Sequence, residues 1–142
     1  MILPDVNLLL YATDQLSPFH DAAQRWWRAC MQATEAVGLT TFVALGFVRL
    51  STKSASFRVP LPVTEATGLV RSWLARPQVV LLPVESADLN RAMDMLDACG
   101  TAGNLASDAI LAALALAHEA TIYTADADFT RFRPARWRNP LL

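Results

Sequence analysis

Short and almost wholly apolar runs alternate along this chain with longer stretches in which apolar residues recur every three or four positions. The short runs predict buried strands, and the longer stretches predict helices with one buried face. The predicted strands cover residues 1–6, 36–39, 78–82, 121–124 and 136–138, the last as an edge strand. The predicted helices cover residues 7–14, 19–34, 42–53, 64–76, 86–99 and 105–120. Strands that alternate with helices indicate an α/β fold with a mostly parallel central sheet.

Polar residues and one glycine mark the predicted ends of these elements. Ser17, Thr41 and Asn104 stand where helix N-caps are expected, because their side chains can accept hydrogen bonds from free backbone N–H groups. Gly100 is expected to end the fifth helix. No repeat or linker interrupts the pattern, so residues 1–142 are predicted to form a single domain. Sites in parallel α/β sheets form outside the carboxyl ends of the strands, and polar residues there are expected to carry the chemistry.

The composition excludes several classes of protein. Apolar residues make up 54% of the chain and charged residues 18%, which excludes a disordered protein and leaves apolar surface for a partner. The net charge of −1 excludes a generally basic nucleic-acid coat but not a local basic patch. Cys30 and Cys99 belong to no Cys/His cluster, so no zinc site or disulfide framework is indicated and a reduced, cytoplasmic protein is expected. No signal peptide or membrane span is predicted.

Four carboxylates occupy positions where the sheet is expected to form its site. Asp5 ends the first strand, Asp126 and Asp128 follow the strand at 121–124, and Asp108 lies in the first turns of the helix before it. Acids that converge repel one another, and a cation relieves the repulsion. Oxygen ligands without His or Cys suit Mg²⁺ or Mn²⁺. Taken singly, each acid is equally compatible with a helix cap, a turn or an ordinary first-turn acid, and only their joint placement favours a metal site.

Four segments of the chain read MILPDVNLLLYA, TTFVALGFVRLST, GNLASDAILAALALAHEATIYTADADFTRF and RWRNPL. Together they resemble the PIN-domain ribonucleases, and more narrowly the VapC toxins of bacterial toxin–antitoxin pairs. The resemblance implies a three-layer α/β/α sandwich and a Mg²⁺-dependent endoribonuclease that acts as a homodimer and is inhibited by a cognate VapB-type antitoxin. It also implies site roles. Metal ligands would be Asp5, Asp108, Asp126 and Asp128, the first three catalytic, with Asn7 and Thr124 in support.

The chain departs from the family pattern at one position. The family usually carries Glu-x-x-Arg in the helix after the second strand, whereas this chain reads Gly46-Phe47-Val48-Arg49. No acid lies between Glu35 and Glu65, so no near neighbour replaces the missing one. The departure leaves open whether one or two metal ions bind. The Gly-Phe-x-Arg pattern resembles one that recurs in VapC-type proteins, and activity is still expected.

A local group of basic residues follows the acidic segment. It consists of Arg131, Arg133, Arg136 and Arg138. An RNA backbone would be attracted there once a metal offsets the acids, and an antitoxin tail could use the same charges. Ordinary surface charge is the alternative.

Two other classes of function remain open from the sequence. A different acid-site phosphohydrolase is one, although a dehalogenase-like phosphatase needs Asp-x-Asp after its first strand and this chain has Asp5-Val6-Asn7. A catalytically weak PIN-like binding module is the other, because one family acid is missing. Magnesium-dependent RNA cleavage by the purified protein separates these classes from a ribonuclease.

Overall fold

A computed structural model describes residues 1–142. The strands are β1 Ile2–Pro4, β2 Val37–Thr40, β3 Val79–Leu82, β4 Thr121–Tyr123 and β5 Arg136–Arg138. The helices are α1 Val6–Thr13, α2 His20–Gln32, α3 Thr41–Ser51, α4 Val63–Leu74, α5 Ser86–Cys99 and α6 Leu105–Ala117, with a short 3₁₀ helix at Ala127–Arg131. Each predicted strand and helix is therefore present, with shifts of a few residues at the ends.

All five strands pair in parallel in the order β3-β2-β1-β4-β5. Strand β1 lies at the centre, where Ile2 is in register with Val37 of β2 and Thr121 of β4. Since neighbouring parallel strands end at the same edge, the residues after β1 and β4 emerge side by side. This topology confirms the predicted α/β class and places the acids after those two strands at one edge of the sheet.

The core is built from the central strands and from α6. Leu3, Leu39 and Ile122 on three adjacent strands are fully buried, as is Leu114 of α6. Burial of such side chains contributes roughly 1.5–3 kcal/mol each. None of the helices combines the length and the apolar character that crossing a membrane requires.

None of the three predicted N-cap side chains caps its helix, and two of them are Thr41 and Asn104. Thr40, not Thr41, caps α3, because its buried hydroxyl oxygen accepts a hydrogen bond from the N–H of Val43 at 3.3 Å. Asn104 occupies the N-cap position of α6, but its side chain makes no capping hydrogen bond. Its backbone is already helical (φ −65°, ψ −15°), whereas a capping side chain works best from an extended backbone.

The ends of two helices also differ from the predicted limits. Helix α2 begins at His20, one turn after Ser17, so Ser17 forms a turn before the helix and does not cap it. Helix α6 ends at Ala117 because Glu119 adopts a left-handed backbone (φ 51°) that a helix cannot continue. Gly100 ends α5 with φ 71°, as predicted.

Candidate active site

Asp5 lies directly after β1 and is 9% exposed. One carboxylate oxygen, Oδ1, accepts a hydrogen bond from the N–H of Val6 at 2.7 Å, so Asp5 does cap α1. The other oxygen, Oδ2, accepts from the Thr124 hydroxyl at 2.7 Å and from the Asn7 amide at 3.1 Å. Burial raises the pKa of Asp5, and the hydrogen bonds from Thr124 and Val6 oppose that rise. The cap and a place in the site are therefore compatible roles for one side chain.

Asn7 and Thr124 connect the start of α1 to the segment after β4. The Thr124 hydroxyl oxygen accepts hydrogen bonds from the Asn7 amide at 3.1 Å and from the N–H of Asp126 at 3.0 Å. The side-chain oxygen Oδ1 of Asn7 in turn accepts from the N–H of Ala125 at 3.3 Å. Thr124 is fully buried, and its hydroxyl uses its donor and both acceptor positions. This network fixes the orientation of the Asp5 carboxylate relative to the acidic loop.

Asp126 and Asp128 begin the short 3₁₀ helix after β4. The Oδ1 atom of Asp126 accepts a hydrogen bond from the N–H of Asp128 at 2.8 Å, which is a turn-forming role. Asp128 is exposed and lies 3.7 Å from Arg131. An exposed pair of this kind contributes little to stability. Asp126 is thus the more enclosed of the two acids.

Asp108 lies in the first turn of α6 and is the acid whose ionisation is most altered. Its pKa is raised to about 7, first by burial and then by the negative charges of Asp5, Asp126 and Asp128. Three carboxylates from two other parts of the chain therefore act on one side chain. The structure brings the four predicted acids into one electrostatic neighbourhood.

Asp108 leads to a pH-dependent stability in metal-free protein. Its folded pKa of about 7 exceeds the ordinary 3.8, so its stabilising contribution is complete below pH 3.8 and is lost as pH rises through 7. In EDTA, we expect Tm to fall across this window and Asp108→Asn to flatten most of the fall. Asp94→Asn, which alters an exposed acid of α5, serves as the matched control. Identical pH profiles for Asp108→Asn and wild type would contradict the assignment.

A pocket of about 490 Å³ opens between α3, α6 and the start of α1. Asp5 and Asp108 line it, together with Gly46 and Arg49 of α3. The position that carries a Glu in the family pattern thus lines the same pocket as buried Asp5 and half-buried Asp108. A Cβ atom built on Gly46 would meet only Cγ2 of Val6, at an ordinary contact distance of 3.6 Å.

The space at Gly46 makes Gly46→Glu an informative variant. We expect the fold to tolerate it, because a Cβ fits and Gly is a poor helix former by roughly 0.5–1 kcal/mol. The added carboxylate should increase the thermal stabilisation that Mn²⁺ or Mg²⁺ produces, measured by differential scanning fluorimetry. Gly46→Gln, of the same size without the charge, is the control. A large loss of stability in both variants would mean that Gly46 is required for packing.

The donor set fits a hard divalent cation in its chemistry. All four acids supply oxygen, and the raised pKa of Asp108 shows that negative charge converges without a positive charge to balance it. No group of three His, Cys, Asp or Glu side chains is already arranged to hold a metal ion. A bound Mg²⁺ would therefore rely on water molecules for part of its coordination, which is its usual habit.

The four predicted arginines do not all lie at the edge of the sheet that carries the acids. The Arg136 guanidinium donates a hydrogen bond to the carbonyl of Glu119 at 2.7 Å. Arg136 is in register with Thr121, at the amino end of β4, so it lies at the edge of the sheet opposite the acids. Arg138 is at the carboxyl end, where its carbonyl accepts from the N–H of Thr124 at 2.9 Å. Arg133 and Arg131 are exposed, and Arg131 lies near Asp128.

Several residues of the pocket were not identified from the sequence. They are Val6, Phe42, Val43, Leu45, Leu50, Ser107 and Leu111. A spacing of four residues places Phe42, Gly46 and Leu50 on one face of α3, and this spacing was the available signal. Apolar residues at such spacing usually face the core, so the pattern alone could not indicate a pocket.

Comparison with known proteins identifies relatives over the whole chain. The family model described as PIN domain matches residues 2–133. Ribonuclease VapC33 of Mycobacterium tuberculosis is 40% identical over 141 residues, which cover 99% of this chain and 99% of the relative. Ribonuclease VapC37 of the same organism is 42% identical over 142 residues, covering 99% of this chain and 97% of the relative.

Solved structures of lower identity share the fold. The VapC20 structure of Mycobacterium tuberculosis, described as a sarcin–ricin loop cleaving toxin, has a TM-score of 0.71 at 18% identity and covers 92% of this chain and 93% of its own. VapBC2 of Rickettsia felis, bound to a DNA fragment from its promoter, has a TM-score of 0.70 at 16% identity and covers 98% of both chains. These likenesses confirm the predicted α/β/α sandwich. Given the family match and the full-length relatives, the chain belongs to the PIN-domain family, within its VapC group.

Proposed function

We propose that this protein is a Mg²⁺-dependent endoribonuclease and the toxin component of a type II toxin–antitoxin pair. The observation that carries the proposal is the convergence of acids from three segments: Thr124 joins Asp5 to Asp126, and Asp5 and Asp108 line one pocket. The pKa of Asp108, raised to about 7 by burial and by the charges of Asp5, Asp126 and Asp128, agrees with this convergence. Such convergence of acids beside an open pocket is unfavourable by itself and becomes favourable with a divalent cation. The full-length VapC relatives, which are named ribonucleases, support the same reaction.

Each acid has a distinct part in this proposal. Asp5, Asp108 and Asp126 would hold the cation directly or through water, with Asp128 close by. When bound, Mg²⁺ supplies positive charge against the phosphodiester and lowers the pKa of a water molecule that attacks in line. Mn²⁺ can supply the same chemistry. Since the pKa of Asp108 is raised to about 7, part of the protein carries a proton on this acid at neutral pH, and cation binding displaces it.

The network around Asp5 prepares the site before a cation arrives. Thr124 donates to Asp5 and accepts from the N–H of Asp126, so one buried hydroxyl positions two of the three ligating segments. Asn7 donates to both Asp5 and Thr124. Asn7 and Thr124 are therefore positioning residues, and they take no part in the bond cleavage itself.

The direct test uses purified protein and total RNA. We expect cleavage with Mg²⁺ or Mn²⁺ and none in EDTA. Mapping of the new ends should find 5′-phosphates and 3′-hydroxyls, which the family resemblance implies. Metal-independent cleavage, or ends of the opposite kind, would contradict the proposal.

Gly46 favours a second candidate function, a catalytically weak PIN-like binding module. The pocket wall lacks the family acid there, and no other acid lines the pocket beyond Asp5 and Asp108. A protein that binds RNA but does not cleave it with either metal, and that gains cleavage on Gly46→Glu, would support this second function.

The proposed partners are an RNA substrate, a cognate VapB-type antitoxin and a second copy of the chain in the cytoplasm. The likeness to VapBC2 of Rickettsia felis supports the antitoxin, because that structure is a VapBC pair. Edge strand β3 and the segment after it expose apolar side chains that a second copy could cover. They are Val80, Leu81 and Val84, exposed by 45%, 52% and 44%.

The partner proposal predicts a dimer that captures a small protein. Light scattering at high concentration should give twice the 15.5 kDa mass of the chain. Pull-down with the product of the adjacent upstream reading frame should retain that product, through a basic residue that reaches the acidic pocket and competes with Mg²⁺. A strict monomer that binds no such neighbour, yet cleaves RNA, would leave the nuclease proposal intact and refute the toxin–antitoxin one.

A further inference from the structure

The wall of the acidic pocket that α3 forms is apolar and aromatic. Phe42, Gly46 and Leu50 occur at intervals of four residues and share one face of the helix. Phe42 is half-buried and lines the pocket. The aromatic pairs of the protein involve other rings, so the Phe42 ring has no aromatic partner within the chain. An unpaired ring in a pocket wall is suited to stack against a flat ligand.

Gly46 gives this wall its depth. Only Cγ2 of Val6 lies within 4 Å of where a Cβ would stand, so the missing side chain leaves real space between α3 and α1. The pocket volume of about 490 Å³ falls within the range of small-ligand sites. The space adjoins Asp5 and Asp108 directly, because both acids line the same pocket.

Two polar side chains at the pocket are free of partners inside the protein. Arg49 is exposed, lines the pocket and forms no ion pair, since the two ion pairs of the structure involve other residues. Ser107, next to Asp108, is the only uncharged polar side chain in the lining. A free guanidinium suits a phosphate, and a free hydroxyl suits the edge of a base.

We infer that this pocket binds the nucleobase next to the scissile phosphate, with Phe42 stacked on the base, Ser107 at its edge and Arg49 on the neighbouring phosphate. The inference rests on the proposed ribonuclease function for its substrate, but the pocket can be tested separately. A nucleotide combines a flat apolar ring with a negative charge, and the pocket combines an apolar aromatic wall with an unpaired Arg49. Single-stranded RNA is commonly recognised by stacking of this kind.

A binding experiment without catalysis tests the pocket first. The four nucleoside 5′-monophosphates are titrated into the protein in EDTA and followed by NMR chemical shifts. At least one nucleotide is expected to bind to wild type. Its Kd should be about tenfold higher for Phe42→Leu, which loses stacking, and about tenfold higher for Gly46→Leu, which fills the space. Gly68→Leu is the matched control, because Gly68 lies on exposed α4 with nothing within 4 Å of a Cβ. Equal binding by wild type and Gly46→Leu, or none by wild type, would overturn the inference.

A cleavage experiment then locates the base relative to the bond that breaks. A short RNA containing the mapped cut site is compared with the same RNA lacking one base beside that site. For wild type, kcat/KM is expected to be about tenfold lower on the base-free RNA than on the intact RNA. For Phe42→Leu, which already lacks the stacking contact, the two RNAs should give nearly the same kcat/KM. Equal cleavage of both RNAs by wild type would overturn the inference. If wild type binds a nucleotide but cleaves no RNA, the ribonuclease proposal fails while binding of a base in the pocket is still supported. If an antitoxin peptide shifts the resonances of the pocket residues and no nucleotide does, the occupant is that peptide and the inference fails.

Discussion

Replacing Asp108 by Asn is expected to reduce RNA cleavage by on the order of 10²–10³-fold in kcat/KM. Asp108 is the acid on which the other three converge, and its charge is the one most altered by the site. Loss of one ligand removes part of a metal contribution that is worth several kcal/mol in the transition state, at a tenfold change per 1.4 kcal/mol. Asn is close to Asp in size, so the change removes the charge and little of the packing.

The same variant should also lose most of its thermal stabilisation by metal. A cation that binds only the folded protein raises Tm by mass action, and Asp108→Asn weakens that binding. Asp5→Asn should behave similarly in cleavage, although it also disturbs the hydrogen bonds from Thr124 and Val6. Asp94→Asn, an exposed acid-to-amide change on α5, should leave cleavage and the metal effect unchanged. Unchanged cleavage in both the Asp5 and the Asp108 variants would refute the catalytic assignment.

The fold and the position of the acids could be predicted from the sequence because both depend on local patterns. Short apolar runs fixed where the strands lie, and a parallel sheet brings the residues after its central strands together. Asp5 follows β1 and Asp126 follows β4, two strands that pair directly. Residues adjacent to strand ends in sequence were therefore also adjacent in space.

The pocket and the positions of the arginines could not be predicted, because both depend on contacts between residues that are far apart in the sequence. Phe42 and Leu50 look like ordinary core residues of an amphipathic helix, and only the packing of α3 beside α6 places them around a cleft. Arg136 and Arg138 stand at the two ends of the three-residue strand β5, and only Arg138 is at the end from which the acids emerge. The exact limits of this strand decide which arginine is on the side of the acids, and the sequence pattern does not show which end that is.

The helix caps were predicted wrongly for a related reason. Thr40 and Thr41 are equivalent by propensity, and only the exact end of β2 decides that Thr40 is extended and able to accept from Val43. The ends of helices and strands depend on several weak preferences, so the sequence pattern hardly distinguishes two limits that differ by one residue. That one residue nevertheless decides which side chain caps the helix.

Thr124→Val is expected to lower both stability and activity, since it removes a hydroxyl that makes three hydrogen bonds. The hydroxyl donates to Asp5 and accepts from Asn7 and from the N–H of Asp126. Val keeps the shape of Thr, but it leaves the Asp126 N–H without its acceptor in a partly buried setting. Loss of such a network costs about 1–3 kcal/mol, or about 3–10 °C in Tm for a domain of this size.

The pH profile of cleavage distinguishes positioning by Thr124 from a merely structural role. The hydrogen bond from Thr124 lowers the pKa of Asp5 against the effect of burial, so its loss raises that pKa. Asp5 and Asp108 must both be ionised to hold a cation, so the acidic limb of the kcat/KM profile already reflects the Asp108 pKa of about 7. A rise in the pKa of Asp5 should therefore steepen this limb and move it to higher pH in Thr124→Val. Thr124→Ser, which keeps the hydroxyl, should retain the wild-type profile. A variant that loses stability but keeps an unshifted profile would show that the hydroxyl supports the fold without tuning Asp5.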